Sequence, residues 1–222
     1  MGFKMKKIIF FSFVLFVSFS QITIFAQDNN SIQFNSGIIY PRRSSSGFST
    51  SVQYNYSLNS KINLYISAGY SSWDRFNVMF RENLTGFQRQ EYFKTYNSDN
   101  HSLIPINIGA KVNFHSNKFF TSFINFEIGY AHLSFDSYNN IRIKNPTTGE
   151  VTSYIVDGST KKEITENLFN AGIGTGISHS LNQNLDLILA FKLNTNFNNG
   201  EFGFLSTKGT YTVWQIGLNV KI

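Results

Sequence analysis

From Phe48 to Tyr70 apolar and polar side chains trade places at almost every step. Phe48, Thr50, Val52, Tyr54, Tyr56 and Leu58 alternate with Ser49, Ser51, Gln53, Asn55 and Ser57; after Asn59-Ser60-Lys61 the rhythm resumes with Ile62, Leu64, Ile66, Ala68 and Tyr70. A period of two sustained over this length predicts two strands, and the short polar break predicts the hairpin turn between them. The same arrangement returns around His115–Lys118 and around Asn182–Asn184. A hairpin used three times points to a closed antiparallel meander.

The other strands follow from the same period: Ser31 to Tyr40, Ile104 to Phe114, Phe120 to Tyr130, Phe169 to Ile177, Leu185 to Leu193 and Thr212 to Ile222, which brings the count to eight. Between them lie two long connections, residues 74–102 and 134–166. Each has a turn-rich centre, Asn83 to Gly86 in the first and Asn145 to Gly149 in the second, flanked by apolar arms, so each reads as a protruding hairpin. Asn196 to Gly209, rich in asparagine and glycine, predicts a loop before the last strand.

Alternation does not say which face is inside. Three asymmetries do. Alternate connections are short and the others mostly longer, as with periplasmic turns and extracellular loops. The strands are long enough to cross a bilayer when tilted. The polar face is crowded with glycine (Gly37, Gly69, Gly109, Gly129, Gly172, Gly174, Gly176 and Gly217), which suits the narrow interior of a small barrel better than a solvated sheet surface. The chain therefore predicts an all-β fold: an eight-stranded antiparallel up-and-down transmembrane β-barrel, polar inside and apolar outside. Tyr40, Tyr70, Tyr130 and Trp214 at the loop ends, with Tyr56, Phe114 and Phe120 at the turn ends, are positioned for two aromatic girdles.

Composition changes the picture at one end. Lys4, Lys6 and Lys7 precede the apolar run Ile8 to Phe19, and Ala26 precedes Gln27-Asp28, the pattern of a secretory signal peptide over residues 1–26 with the barrel domain over 27–222. Removing three lysines and no acid takes the formal charge from +6 to +3. No Lys/Arg cluster beyond Arg42-Arg43 and Lys161-Lys162 is left, so nucleic acid is not an expected partner. The absence of cysteine excludes a disulfide framework and a thiolate metal site. Four scattered histidines give no metal spacing, and no cofactor is expected.

Candidate chemistry is sparse. Lys111, Glu127, Asp186, Lys192 and Lys221 fall on the polar face; an ionised group in a narrow interior needs a partner, so Glu127 is expected to pair with Lys192 or Lys111 and close the lumen. His132 and Ser134, two apart on one strand, share a face as a base and a nucleophile would, but no acid is well spaced to orient the histidine. Phe76, Phe80, Phe87, Tyr92, Phe93 and Tyr96 make the first hairpin unusually aromatic, either as a contact surface or as packing.

The signal peptide, the three turns with their following strands, and the closing strand Tyr211 to Ile222 resemble the small outer-membrane barrels, most nearly the outer-membrane β-barrel domain family of Bacteroidota. The resemblance implies a non-enzymatic protein of the bacterial outer membrane, with a structural or surface-interaction role through loops 74–102 and 134–166. Implied partners are outer-membrane lipids, the barrel-assembly machinery and a surface protein or glycan. The alternatives are a conduit or receptor for small apolar ligands and, through the His132/Ser134 spacing, a hydrolase resembling the lipid A deacylase barrels.

Overall fold

The computed structural model describes residues 30–86, 89–117, 119–197 and 209–222. The expected cleavage region up to Ala26, Phe87, Lys118 and most of the Asn196–Gly209 loop lie outside them. The described residues form one all-antiparallel sheet of nine strands: β1 (Asn30–Pro41), β2 (Gly47–Ser57), β3 (Ile62–Trp73), β4 (Phe76–Asn83), β5 (Gln90–Ser116), β6 (Phe120–Lys144), β7 (Val151–Ser180), β8 (Leu185–Phe197) and β9 (Thr210–Lys221). Their order is β3-β2-β1-β9-β8-β7-β6-β5-β4, and β3 pairs in addition with β5, from Ile62↔Val112 to Trp73↔His101.

Nine strands stand where the sequence pattern predicts eight. The extra one, β4, is an arm of the first expected hairpin. Beyond Trp73 the backbone N–H groups of Asp74 and Arg75 donate to Ser45 Oγ, at 3.2 and 3.0 Å, instead of to a ladder. The chain then re-enters the sheet as β4 and pairs with the far part of β5, ending at Asn83↔Gln90. The second expected hairpin is formed by the distal parts of β6 and β7, which pair from Asn139↔Asp157 to Lys144↔Val151. Strands β5, β6 and β7, at 27, 25 and 30 residues, thus carry both the sheet and the two projections.

The three short turns share one device. An asparagine side chain accepts from backbone N–H groups two or three residues on: Asn59 from Lys61 and Ile62, Asn117 from Phe119 and Phe120, Asn182 from Asn184. This is the Asx turn that makes asparagine favourable between strands.

Burial runs opposite to that of a water-soluble sheet. Gln33, Asn35, Gln53, Asn55, Asn107, Asn125, Glu127, Asn170 and Gln215 are buried, while Val52, Tyr54, Ile66, Ile106, Ile108, Phe126, Ile128, Ile173 and Ile216 are exposed. With Ile38 and Leu189 added, exposed apolar residues of this kind stand on β1, β2, β3 and all of β5 to β9, so the outer face forms a continuous apolar belt. Soluble monomers rarely expose apolar patches beyond a few hundred square ångströms.

The face opposite the belt changes character along the strands. Toward the short turns it is mainly polar, with Phe123 and Ile188 buried among the polar side chains. Toward the loop ends Ile39, Leu103, Ala131, Leu168, Tyr211 and Val213 pack as one buried cluster, with Trp73 and Leu133 against it. Register stacks them: Ile39 faces Val213, Leu103 faces Leu133, and Ala131 faces Leu168.

Candidate functional site

Three levels of the face opposite the apolar belt carry side chains of functional interest. At the middle level Glu127, whose side chain is 1% exposed, accepts from Lys192 Nζ at 2.8 Å, from Tyr65 OH at 3.0 Å and from Asn107 Nδ2 at 3.2 Å. Asn125 in turn donates to the Tyr65 hydroxyl at 3.1 Å. β6 supplies Glu127 and Asn125, β8 supplies Lys192, and β3 and β5 supply Tyr65 and Asn107, so the network links four strands. Glycines make room for it: a Cβ on Gly109 would overlap the Tyr65 ring, and one on Gly172 would overlap the Asn194 amide. Lys111 stands apart, with its ammonium 5.2 Å from the centroid of the Phe123 ring.

At the turn end Asp186 accepts from Ser180 at 2.7 Å, Lys221 at 2.9 Å and Asn219 at 3.1 Å. Each of these buried carboxylates thus has a cation and neutral donors, the arrangement that makes an interior charge tolerable.

At the loop end a cavity of about 590 Å³ opens above the apolar cluster. Its wall includes a stack of three rings, Trp73 on His101 at 5.0 Å between centroids and His101 on Phe135 at 5.2 Å. His101 is held in place on both nitrogens. A carbonyl can only accept, so Nδ1–H donates to Asp74 O at 2.6 Å, and in the neutral ring Nε2 accepts from Ser98 Oγ at 3.1 Å. From the sequence His101 reads as a turn or interface residue at a strand end, because its partners come from the chain break after β3 and from the distal part of β6.

The predicted girdle residues all lie on the outer face. Tyr40, Tyr70, Tyr130 and Trp214 are exposed toward the loop ends, and Tyr56, Phe114 and Phe120 toward the turns. His132 and Ser134 are bonded elsewhere: His132 Nδ1 contacts Asn167 Oδ1 at 2.9 Å, and Ser134 Oγ contacts Ser102 Oγ at 3.0 Å. Asp136, the nearest acid on that strand, accepts from Asn100 at 2.7 Å and Lys161 at 2.8 Å. The Lys161 ammonium, helped by the Asn100 amide, holds the Asp136 carboxyl below the usual aspartate range.

The two projecting hairpins pack on each other. Phe80 of β4 stacks on Tyr154 of β7 with centroids 4.0 Å apart, and Phe93 of β5 joins at 6.1 Å. Glu82 accepts from the Arg142 guanidinium and from the Tyr154 hydroxyl. Those two bonds, Arg142 first, lower the Glu82 pKa from its ordinary value. The opposite side of the first hairpin carries Met79 and Tyr92, both exposed, with Arg81 over the Tyr92 ring and Arg75 over Tyr96.

No family model and no curated protein sequence matches the chain significantly. Solved structures do resemble it. Neisserial surface protein A superposes with a TM-score of 0.52 at 14% identity, covering 87% of this chain and 97% of that one. A major outer membrane protein from Thermus thermophilus does so with a TM-score of 0.50 at 11% identity, covering 87% and 99%. These structural neighbours are bacterial outer-membrane β-barrel proteins, and the chain shares their all-antiparallel β fold.

Proposed function

We propose that the chain is an integral outer-membrane barrel of eight strands with a filled interior, acting as a structural and surface-contact protein through its two packed hairpins. The observation that carries this reading is the inverted burial: a continuous apolar belt outside, edged by tyrosine and tryptophan, around a polar interior. Closure is supported by the β3–β5 pairing, which returns the strand order on itself and leaves β4 outside the ring as the hairpin's free arm. Short turns then face the periplasm and the hairpins face outward, with residues 1–26 removed on export.

The surface role rests on the hairpins' construction. Two floppy loops would need ordering on contact with a partner; here the aromatic stack and the Glu82–Arg142 ion pair hold the projections as one body. The chain has no cysteine, which makes topology directly testable. A cysteine at Thr148 should react with a membrane-impermeant maleimide on intact cells, and one at Asn184 only after the outer membrane is permeabilised. The reverse pattern would overturn the orientation; labelling of neither site, or of both, on intact cells would overturn the membrane reading.

A further inference from the structure

Resting on the barrel reading, we propose that the cavity at the loop end is a blind binding cup for a small, neutral, flat-ringed ligand. Its volume of about 590 Å³ falls in the range of roughly 300–1,000 Å³ typical of sites for drug-sized molecules. The lining is chemically specific. Trp73, His101 and Phe135 provide an aromatic wall, and Leu133, Leu168 and Tyr211 an apolar floor. Polar side chains, among them Asn97, Ser98, Ser137 and Thr210, share the lining, as in sites where apolar contact supplies affinity and hydrogen bonds supply orientation.

Charge selects for neutrality. Among the described lining residues Arg42 and Glu166 carry opposite formal charges that sum to zero, so no net charge draws an ion of either sign. The aromatic wall is set before any ligand arrives, because His101 is fixed by Asp74 O, by Ser98 and by the rings on either side. A site already ordered loses little conformational entropy on binding.

The cup is blind because the buried layer of Ile39, Leu103, Leu168 and Val213 lies beneath it, with the Glu127–Lys192 network beneath that. A ligand entering from outside meets side chains packed to 4% exposure or less and does not pass. The cavity is therefore a receptor site and not the head of a conduit.

The molecule contains its own reporter. Of two tryptophans, Trp214 is on the outer face and Trp73 is in the cup wall, so Trp214→Phe leaves a single emitter at the site. This variant, refolded as the mature chain in lipid nanodiscs, is titrated with N-phenyl-1-naphthylamine, a neutral aromatic probe that absorbs tryptophan emission. Saturable quenching of Trp73 is expected, with an affinity at least tenfold weaker after Ser137→Phe, which fills the cavity, and after His101→Ala, which removes the middle ring. Phe126→Ala, on the outer belt, is expected to change nothing. Quenching that rises without saturation, or is unchanged in both cup variants, means partition into lipid and overturns the proposal. Every variant is also run unheated and boiled on a gel: a preparation with no heat-modifiable band counts against the barrel, whereas a heat-modifiable protein without saturable quenching counts against the cup alone.

Discussion

Glu127 shows how one residue organises its surroundings. A carboxylate enclosed to this degree keeps its charge only with matched donors, and Lys192, Tyr65 and Asn107 supply them. Removing the cation alone strands the anion. Lys192→Met is expected to destabilise the refolded protein by about 3 kcal/mol or more, while Lys192→Met combined with Glu127→Gln should recover over half of that loss, both read from urea unfolding in vesicles. The glycines follow the same logic from the other side. Gly109→Val pushes into the Tyr65 ring and should cost about 1–3 kcal/mol; adding Tyr65→Ala should relieve part of this, so that the double variant is more stable than the two single effects summed. The sequence shows that Glu127 needs a partner and that Lys192 shares its face. It does not show the hydroxyl and amide that complete the shell, because polar residues at period two are alike until register sets which of them meet.

At the level of elements the strands are legible and their junctions less so. Alternation locates the membrane-length part of each strand from β1 to β9 apart from β4, since nothing but an extended chain with one wet and one dry face repeats every second residue. β4 is hidden because Phe76, Val78 and Phe80 continue the phase of β3, and the break between them lies in bonds of Asp74, Arg75 and Asn77 to the Arg43–Ser45 segment that the pattern does not show. The apolar layer of the interior is hidden for a related reason. Ile39, Leu103, Ala131, Leu168 and Val213 stand out of phase with the outer belt, and on any one strand such a residue looks like noise. The hairpin contact carries a pH dependence. Arg142 and Tyr154 depress the Glu82 pKa, so the contact is at full strength above the ordinary glutamate range and is lost as pH falls through the lowered value. Spin labels at residues 86 and 148 should give a narrow distance distribution at pH 7 that broadens in acid, and Arg142→Ala should broaden it already at pH 7.

For the whole molecule, the filled interior decides between a pore and a plugged wall. Small barrels of eight strands, the ring proposed above, have room only for their own side chains. Here an apolar layer and two ion-paired polar levels occupy the axis in series. In planar bilayers the protein should give no conductance steps above baseline, and in swelling assays sugar-loaded vesicles should behave as protein-free ones. Stable, well-resolved steps would show that the interior rearranges in the membrane.

The pairing of β1 with β9, from Ser31↔Lys221 to Pro41↔Tyr211, also fixes an order in time. β1 is synthesised before every other strand of the sheet, yet it finds its second neighbour only in β9, which is synthesised after them all. Until β9 has been made, every shorter chain has two raw sheet edges and an apolar face with nowhere to go, the combination most prone to pairing with the wrong molecule. In the closed ring proposed above, a fold sealed by its first and last strands forms whole or not at all, and a loss of even the twelve residues of β9 leaves β1 and β8 each with an open edge.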